Sequence, residues 1–84
     1  RGDYDTALNY LQRALAIAQS IGDIVREGVT CWNLGMQYER RGDLPQAIDY
    51  ISRSLVIRTK TEHPDTEKTA QHLADLQQRL ADAS

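Results

Sequence analysis

The sequence predicts an all-α fold in which four antiparallel helices form the stacked hairpins of a right-handed solenoid. The first observation is an internal repeat, because residues 2–17 match residues 42–57 at an offset of 40 residues. Self-similarity at a period of about 20–50 residues is typical of solenoid arrays. The second observation is a set of four amphipathic segments separated by short turns. Short connections between such helices favour antiparallel neighbours.

The composition excludes several classes of partner. The chain has 84 residues, 26% of them charged, and a net charge of −2, which fits one small globular domain. Its arginines are scattered, so it lacks the basic stripe that nucleic-acid binding requires. Its longest apolar run is far shorter than the ~20 residues of a membrane span. We therefore expect neither a nucleic-acid nor a membrane partner.

The potentially reactive side chains give no sign of a cofactor or of catalysis. Cys31 is the only cysteine, so a disulfide within the chain is excluded and a reducing, cytoplasmic compartment is expected. His63 and His72 lack the spacing that places two metal ligands on one helix face. The sequence contains no Gly-rich phosphate loop and no Ser/His/Asp arrangement at suggestive spacing. We expect no metal, no other cofactor and no enzymatic activity.

The first helix is predicted over residues 4–20, with Asp3 as its N-cap. It carries two apolar stripes, and a helix that is apolar over so wide an arc contacts more than one neighbour. Arg1 is interpreted as the end of a preceding helix, which makes the chain a fragment of a longer array. The two stripes consist of Ala7, Leu8, Leu11, Ala14, Leu15 and Ala18, and of Tyr10, Ile17 and Ile21.

The second helix is predicted over Ile24–Arg40, with Asp23 as its N-cap. Gly35 lies inside this helix, where glycine costs about 1 kcal/mol relative to alanine. Such a cost favours the close approach of another helix at this position. The inward stripe consists of Cys31, Leu34, Gly35 and Tyr38.

The third helix is predicted over Leu44–Lys60. Gly42 ends the preceding helix and Asp43 caps the new one. Pro45 falls in the first turn, where its missing N–H does no harm. The inward side consists of Ala47, Ile48, Ile51, Ser54 and Leu55.

The fourth helix is predicted to begin at Asp65 or Thr66 and to end near Ala81. Pro64 disfavours helical backbone at the residue before it, so a turn precedes this helix. Most positions outside its apolar face are polar, as a terminal capping helix of a repeat array requires. The apolar face consists of Ala70, Leu73, Leu76 and Leu80.

These helices resemble the tetratricopeptide repeat. The family's first helix has Leu-Gly with an aromatic residue three positions after the glycine, and its second helix has small residues around a large apolar one. The family's bulky aromatic would fall on Cys31, whereas Trp32 comes one residue later. The matching residues are Leu34, Gly35 and Tyr38, then Ala47, Ile51 and Ser54, and, in the partial first repeat, Ala7, Leu11 and Ala14.

The period of 39–40 residues is longer than the 34 of the standard repeat. The segments 33–35 (Asn-Leu-Gly) and 62–65 (Glu-His-Pro-Asp) resemble the long repeats of kinesin light chain, and the first also resembles spindle-orientation scaffolds with GoLoco motifs. The resemblance implies that residues 1–22 form the second helix of one repeat. Residues 23–62 would form a complete repeat, and residues 63–84 the first or capping helix of the next.

The resemblance also implies a protein-interaction module, in which a groove along the second and fourth helices holds an extended or short helical segment of a partner. The family asparagine that binds peptide backbone corresponds to Asn33. Arg40, Lys68 and Arg79 outnumber the acidic groups, which favours a mildly acidic partner segment. The predicted site consists of Trp32, Asn33, Met36 and Arg40 on the second helix, and of Lys68, Gln71, His72, Asp75 and Arg79 on the fourth.

Two questions stay open at the level of sequence. Trp32 is either an exposed binding anchor or a residue packed on a neighbouring helix or repeat. The chain itself is either such a binding module or a structural segment that stacks on adjacent repeats or on a second copy. The second stripe of the first helix favours association of the chain into a homo-oligomer, because exposed apolar area promotes it.

Overall fold

The computed structural model describes residues 2–83, with side chains from Tyr4 onward. Over this range it contains no strand and four helices: α1 (Gly2–Ile21), α2 (Ile24–Arg40), α3 (Leu44–Lys60) and α4 (Thr66–Ala83). The predicted all-α helical-hairpin fold is confirmed. The bounds of α2 and α3 are the predicted ones, and α4 extends two residues beyond its predicted end.

Two predictions concern the start of the chain. The prediction of Asp3 as the N-cap of α1 is wrong, because Asp3 lies inside the helix rather than before it. The interpretation of Arg1 as the end of a preceding helix lies outside the described residues. The helix itself already includes Gly2, two residues before the predicted start at Tyr4.

Aspartate caps and glycine turns separate the first three helices, as predicted. Asp23 and Asp43 each accept a hydrogen bond from the backbone N–H three residues later, at 3.0 and 3.2 Å. The hydrogen bond from that N–H lowers the pKa of Asp23. Gly22 and Gly42 end the preceding helices at φ values of 72° and 83°, a left-handed conformation that glycine adopts without strain.

The core consists of two clusters that share Tyr38. One joins α1 to α2 and includes Tyr50 of α3, while the other joins α3 to α4. The ring of Tyr38 stacks on that of Tyr50, with centroids 5.6 Å apart. The clusters are formed by Leu8, Leu15, Cys31, Leu34 and Tyr50, and by Ala47, Ile51 and Leu76.

Two glycines of α2 allow it to lie close to α3. A Cβ atom added at Gly35 would lie 2.5 Å from Cδ1 of Ile51, and one added at Gly28 would lie 2.7 Å from Cγ2 of Ile57. Carbon atoms prefer separations of about 3.5–4.0 Å, so a side chain at either glycine would displace an isoleucine. The close approach predicted at Gly35 is confirmed, and Gly28 adds a second one.

Replacing Gly35 by alanine is expected to destabilise the chain by about 1–2 kcal/mol. The conflict with Ile51, which is fully buried, should outweigh the gain in helix propensity of about 1 kcal/mol. Chemical denaturation followed by circular dichroism measures the difference. An Ile51→Val background removes the conflict with Cδ1 and retains the conflict with the γ-carbon at 2.6 Å, so there the same substitution should cost only part of this amount. A Gly35→Ala chain as stable as the parent would contradict the close packing.

Candidate functional site

The predicted site residues of α2 lie on two sides of this helix. Asn33, Met36 and Arg40 line a cavity of about 420 Å³ between α1 and α2. Trp32 instead contacts His72 of α4. The structure therefore brings three predicted residues together with α1, and it brings Trp32 together with α4. The rest of the lining consists of Ala7, Tyr10 and Leu11 on α1 and of Gln37 on α2.

Trp32 is half-buried between two other helices. The guanidinium carbon of Arg58 on α3 lies 5.0 Å from the centre of the Trp32 ring system. On α4, the ring of His72 lies 5.4 Å away and is tilted by 56°. Of the two alternatives for Trp32, the structure shows packing on neighbouring helices, with part of the ring left exposed.

Arg58 is a buried cation that the sequence analysis did not single out. Only 6% of the residue is exposed, and burial lowers the pKa of its guanidinium, with a smaller opposing effect from Asp65. One of its terminal nitrogens donates a hydrogen bond to Oγ1 of Thr69 at 2.8 Å, while its Nε has no partner among the described residues. The face of the Trp32 ring thus compensates part of the cost of burying this charge.

Glu39 connects α2 to α4 through both of its carboxylate oxygens. Oε1 lies 2.7 Å from Nε2 of His72, and Oε2 accepts a hydrogen bond from Arg79 at 2.7 Å. Burial by itself raises the pKa of Glu39, but the hydrogen bonds from Arg79 and His72 outweigh it, so the pKa lies below its ordinary value. Asp75 lies 3.5 Å from the same Arg79 nitrogen. Three predicted ligand-binding residues are therefore engaged with Glu39 or with each other.

Fewer charged side chains are available to a ligand than the sequence analysis predicted. Arg40 and Lys68 are exposed, and neither forms an ion pair within the described part of the chain. Gln71 is exposed as well. These three side chains, together with the amide of Asn33, are the polar groups of the predicted site that could reach a ligand without breaking an ion pair.

Cys31 belongs to the core rather than to the site. Its side chain is fully buried, and burial raises the pKa of the thiol to about 11. The thiolate, which is the reactive form, is therefore scarce at neutral pH. Within residues 2–83, no group of His, Cys, Asp and Glu side chains is arranged to hold a metal ion.

The family model of the tetratricopeptide repeat matches residues 1–25, which include all of α1 and the turn after it. This match supports a tetratricopeptide repeat chain. Such repeats are generally non-enzymatic modules that bind other proteins or adjacent repeats. No curated protein and no solved structure matches the chain. None of the helices described is both long enough and apolar enough to cross a bilayer.

Replacing Trp32 by alanine is expected to lower the free energy of unfolding by about 2–4 kcal/mol. The substitution leaves a gap beside the core and removes the ring that faces the buried Arg58. Urea denaturation measures the loss. Val56→Ala is a suitable control, because Val56 is 54% exposed and its truncation should change stability by less than about 0.5 kcal/mol. An unchanged midpoint for Trp32→Ala would identify Trp32 as a side chain without a packing role.

Glu39 is expected to make stability depend on pH below about 4.5, its ordinary pKa. Its pKa is lower in the folded chain, so its contribution is complete above that value and is lost as the pH falls through the folded-state pKa. Glu39→Gln should therefore cost about 0.5–1.5 kcal/mol at neutral pH, and this cost should shrink in acid.

Denaturation of both chains at several pH values tests this expectation. The control is Glu62→Gln, at an exposed carboxylate in the turn before α4. A cost of Glu39→Gln that stays constant down to acidic pH would exclude the proposed contribution of the ionised carboxylate.

Proposed function

We propose that this chain is a non-enzymatic protein-interaction module that binds an extended or short helical segment of another protein along α2 and α4. The observation that supports it best is the cavity of about 420 Å³ between α1 and α2, which forms a recess on the α2 side of this surface. On the α4 side the surface consists of exposed polar residues such as Lys68 and Gln71. Met36, Tyr10 and Leu11 give this cavity an apolar centre, while Asn33 and Arg40 give it polar edges. An apolar centre with a polar rim is the usual arrangement of a protein interface.

Met36, Asn33 and Trp32 would contact the ligand in different ways. Met36 is flexible and polarisable, so it adapts to an apolar side chain of the ligand. The exposed amide of Asn33 offers both a donor and an acceptor to the ligand's backbone. The exposed part of the Trp32 ring extends the surface toward α4, although the ring is fixed by Arg58 and His72.

The charges favour a mildly acidic ligand segment. Arg40 and Lys68 are exposed and without ion pairs among the described residues, whereas Arg79 is already engaged by Glu39. Because the two available cations are exposed, their attraction for an acidic segment should weaken as salt is added. The positive charge of the surface thus selects among ligands, while the apolar centre contributes most of the affinity.

The arrangement of the repeats is part of the same proposal. Residues 1–22 act as the second helix of one repeat, residues 23–62 as a complete repeat, and residues 63–84 as the first or capping helix of the next. The long period and the segment 33–35 support a likeness to kinesin light chain and to GoLoco-type scaffolds, and the segment 62–65 supports the likeness to kinesin light chain. The unpaired and buried Cys31 is compatible with a cytoplasmic location.

A second candidate function is a structural one, in which the chain stacks on adjacent repeats or on another copy. The observation that favours it is the exposed apolar face of α1, where Tyr10 is 71% exposed and Ile17 is 59% exposed. Contiguous apolar surface of this kind marks an interaction site.

Selection from a random peptide library displayed on phage tests the proposed binding function. We expect Met36→Ala and Asn33→Ala to weaken the selected peptides by about tenfold each, or ~1.4 kcal/mol, in calorimetry at low chain concentration. Val56→Ala, on an exposed position of α3, is the matched control. Arg40→Gln should reduce both the affinity for acidic peptides and its salt dependence. Peptides that bind all these variants equally would refute the proposed site.

A further inference from the structure

α1 exposes the apolar face that its repeat counterpart α3 buries. At the offset of 40 residues, Tyr10 corresponds to Tyr50 and Ile17 to Ile57. Tyr50 and Ile57 are 9% and 8% exposed, whereas Tyr10 and Ile17 are 71% and 59% exposed. The residue types and their spacing are the same in both helices. The difference is that α2 covers this face of α3, whereas no helix within residues 2–83 covers it on α1.

The face of α3 shows what kind of element covers such a surface. It is covered by α2, whose Gly28 leaves room for Ile57. At the same place Ser54 donates a hydrogen bond to the carbonyl oxygen of Gly28 at 2.9 Å, across the two helices. In α1 the position of Ser54 is taken by Ala14, so the corresponding contact would be purely apolar. The element that fits α1 is therefore a helix of the α2 type.

α4 is a helix of this type. At an offset of 39 residues, Thr30 of α2 corresponds to Thr69 of α4, and both threonines are buried. Each hydroxyl donates a hydrogen bond of 2.8 Å to the backbone carbonyl four residues earlier. Gly35, which packs on α3, corresponds to Ala74, which is exposed. Within the described part of the chain, α4 thus presents an open face at the place where α2 contacts α3.

We propose that α4 of one copy of this chain packs on α1 of a second copy, in the way that α2 packs on α3. The pairing also brings α4 next to the α2 helix of the second copy. Within one chain, Glu39 of α2 binds Arg79 of α4. Between copies, Gln78 of α4 takes the place of Glu39, and Arg40 of the second copy takes the place of Arg79. A hydrogen bond between Gln78 and Arg40 then replaces the ion pair.

The charges along the two faces are complementary. The face of α1 borders a cavity of about 510 Å³, whose lining contains the cations Arg13 and Arg26 and no acidic side chain. Arg26 is paired with Asp23 at 3.2 Å, so Arg13 is the lining cation without an ion pair among the described residues. Gly28 of α2 contacts Ile57 of α3, and Ile57 corresponds to Ile17 of α1. Glu67 of α4 corresponds to Gly28, so in the proposed pair it lies beside Ile17. Its carboxylate is therefore brought to the positively charged side of this cavity, where the opposite charges attract each other.

The same correspondence limits the strength of the association. Glu67 and Ala74 carry Cβ atoms where Gly28 and Gly35 have none, so two copies lie somewhat farther apart than α2 and α3 do. The interface is therefore looser than the hairpin within the chain, so we expect the association to be weak and to depend on the concentration of the chain. The two faces are different, so each added copy leaves one of each kind open and growth continues beyond a dimer.

Sedimentation of the 84-residue chain from low to high micromolar concentration tests the proposal. We expect the mean mass to rise past that of a dimer. Ile17→Lys and Ala74→Lys should each remain monomeric, because one of the two faces is blocked. An equimolar mixture of these two variants should form a dimer and stop there, since it retains one working pair of faces. Val56→Lys, at another exposed apolar position, should associate like the parent.

Three results would overturn the proposal. One is a parent chain that stays monomeric at high micromolar concentration. Another is a dimer that Ile17→Lys abolishes and Ala74→Lys preserves, since this pattern identifies pairing of α1 with α1. The third is an equimolar mixture of the two lysine variants that does not associate although both are folded. If circular dichroism shows that Ile17→Lys is unfolded, Tyr10→Lys replaces it. A chain that binds no peptide would still give the same masses in sedimentation. The two experiments therefore test peptide binding and self-association independently.

Discussion

The distance between α2 and α3 is the constraint on which the other contacts depend. Gly28 and Gly35 let two isoleucines of α3 lie against the α2 backbone, and a hydrogen bond from Ser54 to Gly28 joins the helices at the same place. This close pair brings Arg58 of α3 under the ring of Trp32 on α2. α1 and α4 then pack on a unit whose geometry is already determined.

The bounds of the helices could be predicted where the signals are local. Asp23, Asp43 and the glycine before each of them act within a few residues, so α2 and α3 begin where the sequence places them. At the outer end of α1 the capping signal at Asp3 was misleading, and the outer end of α4 carries no such signal. At both of these ends the structure differs from the prediction by two residues. Burial of Arg58 and Thr69 could not be predicted, because each depends on the other across two helices.

The face of the candidate site could be predicted, whereas the partners of its side chains could not. Helical periodicity places Trp32, Met36 and Arg79 outside the core, but it does not show which neighbour each one meets. Glu39 pairs with residues that lie 33 and 40 positions later in the sequence, and only the packing of α4 beside α2 brings them together. The number of charged side chains available to a ligand is therefore smaller than the sequence alone predicts.

The contact of Glu39 with α4 also has a consequence for shape. His72 and Arg79 lie seven residues apart on α4, about two turns or 10.5 Å along its axis, and the same carboxylate binds both. Such a two-point attachment opposes both sliding of α4 along α2 and rotation of α4 about its own axis. The packing of α4 on α3 sets the tilt of α4, and this attachment to α2 restrains it further. In an assembly of many such helices, each attachment of this kind would limit how far the curvature can vary.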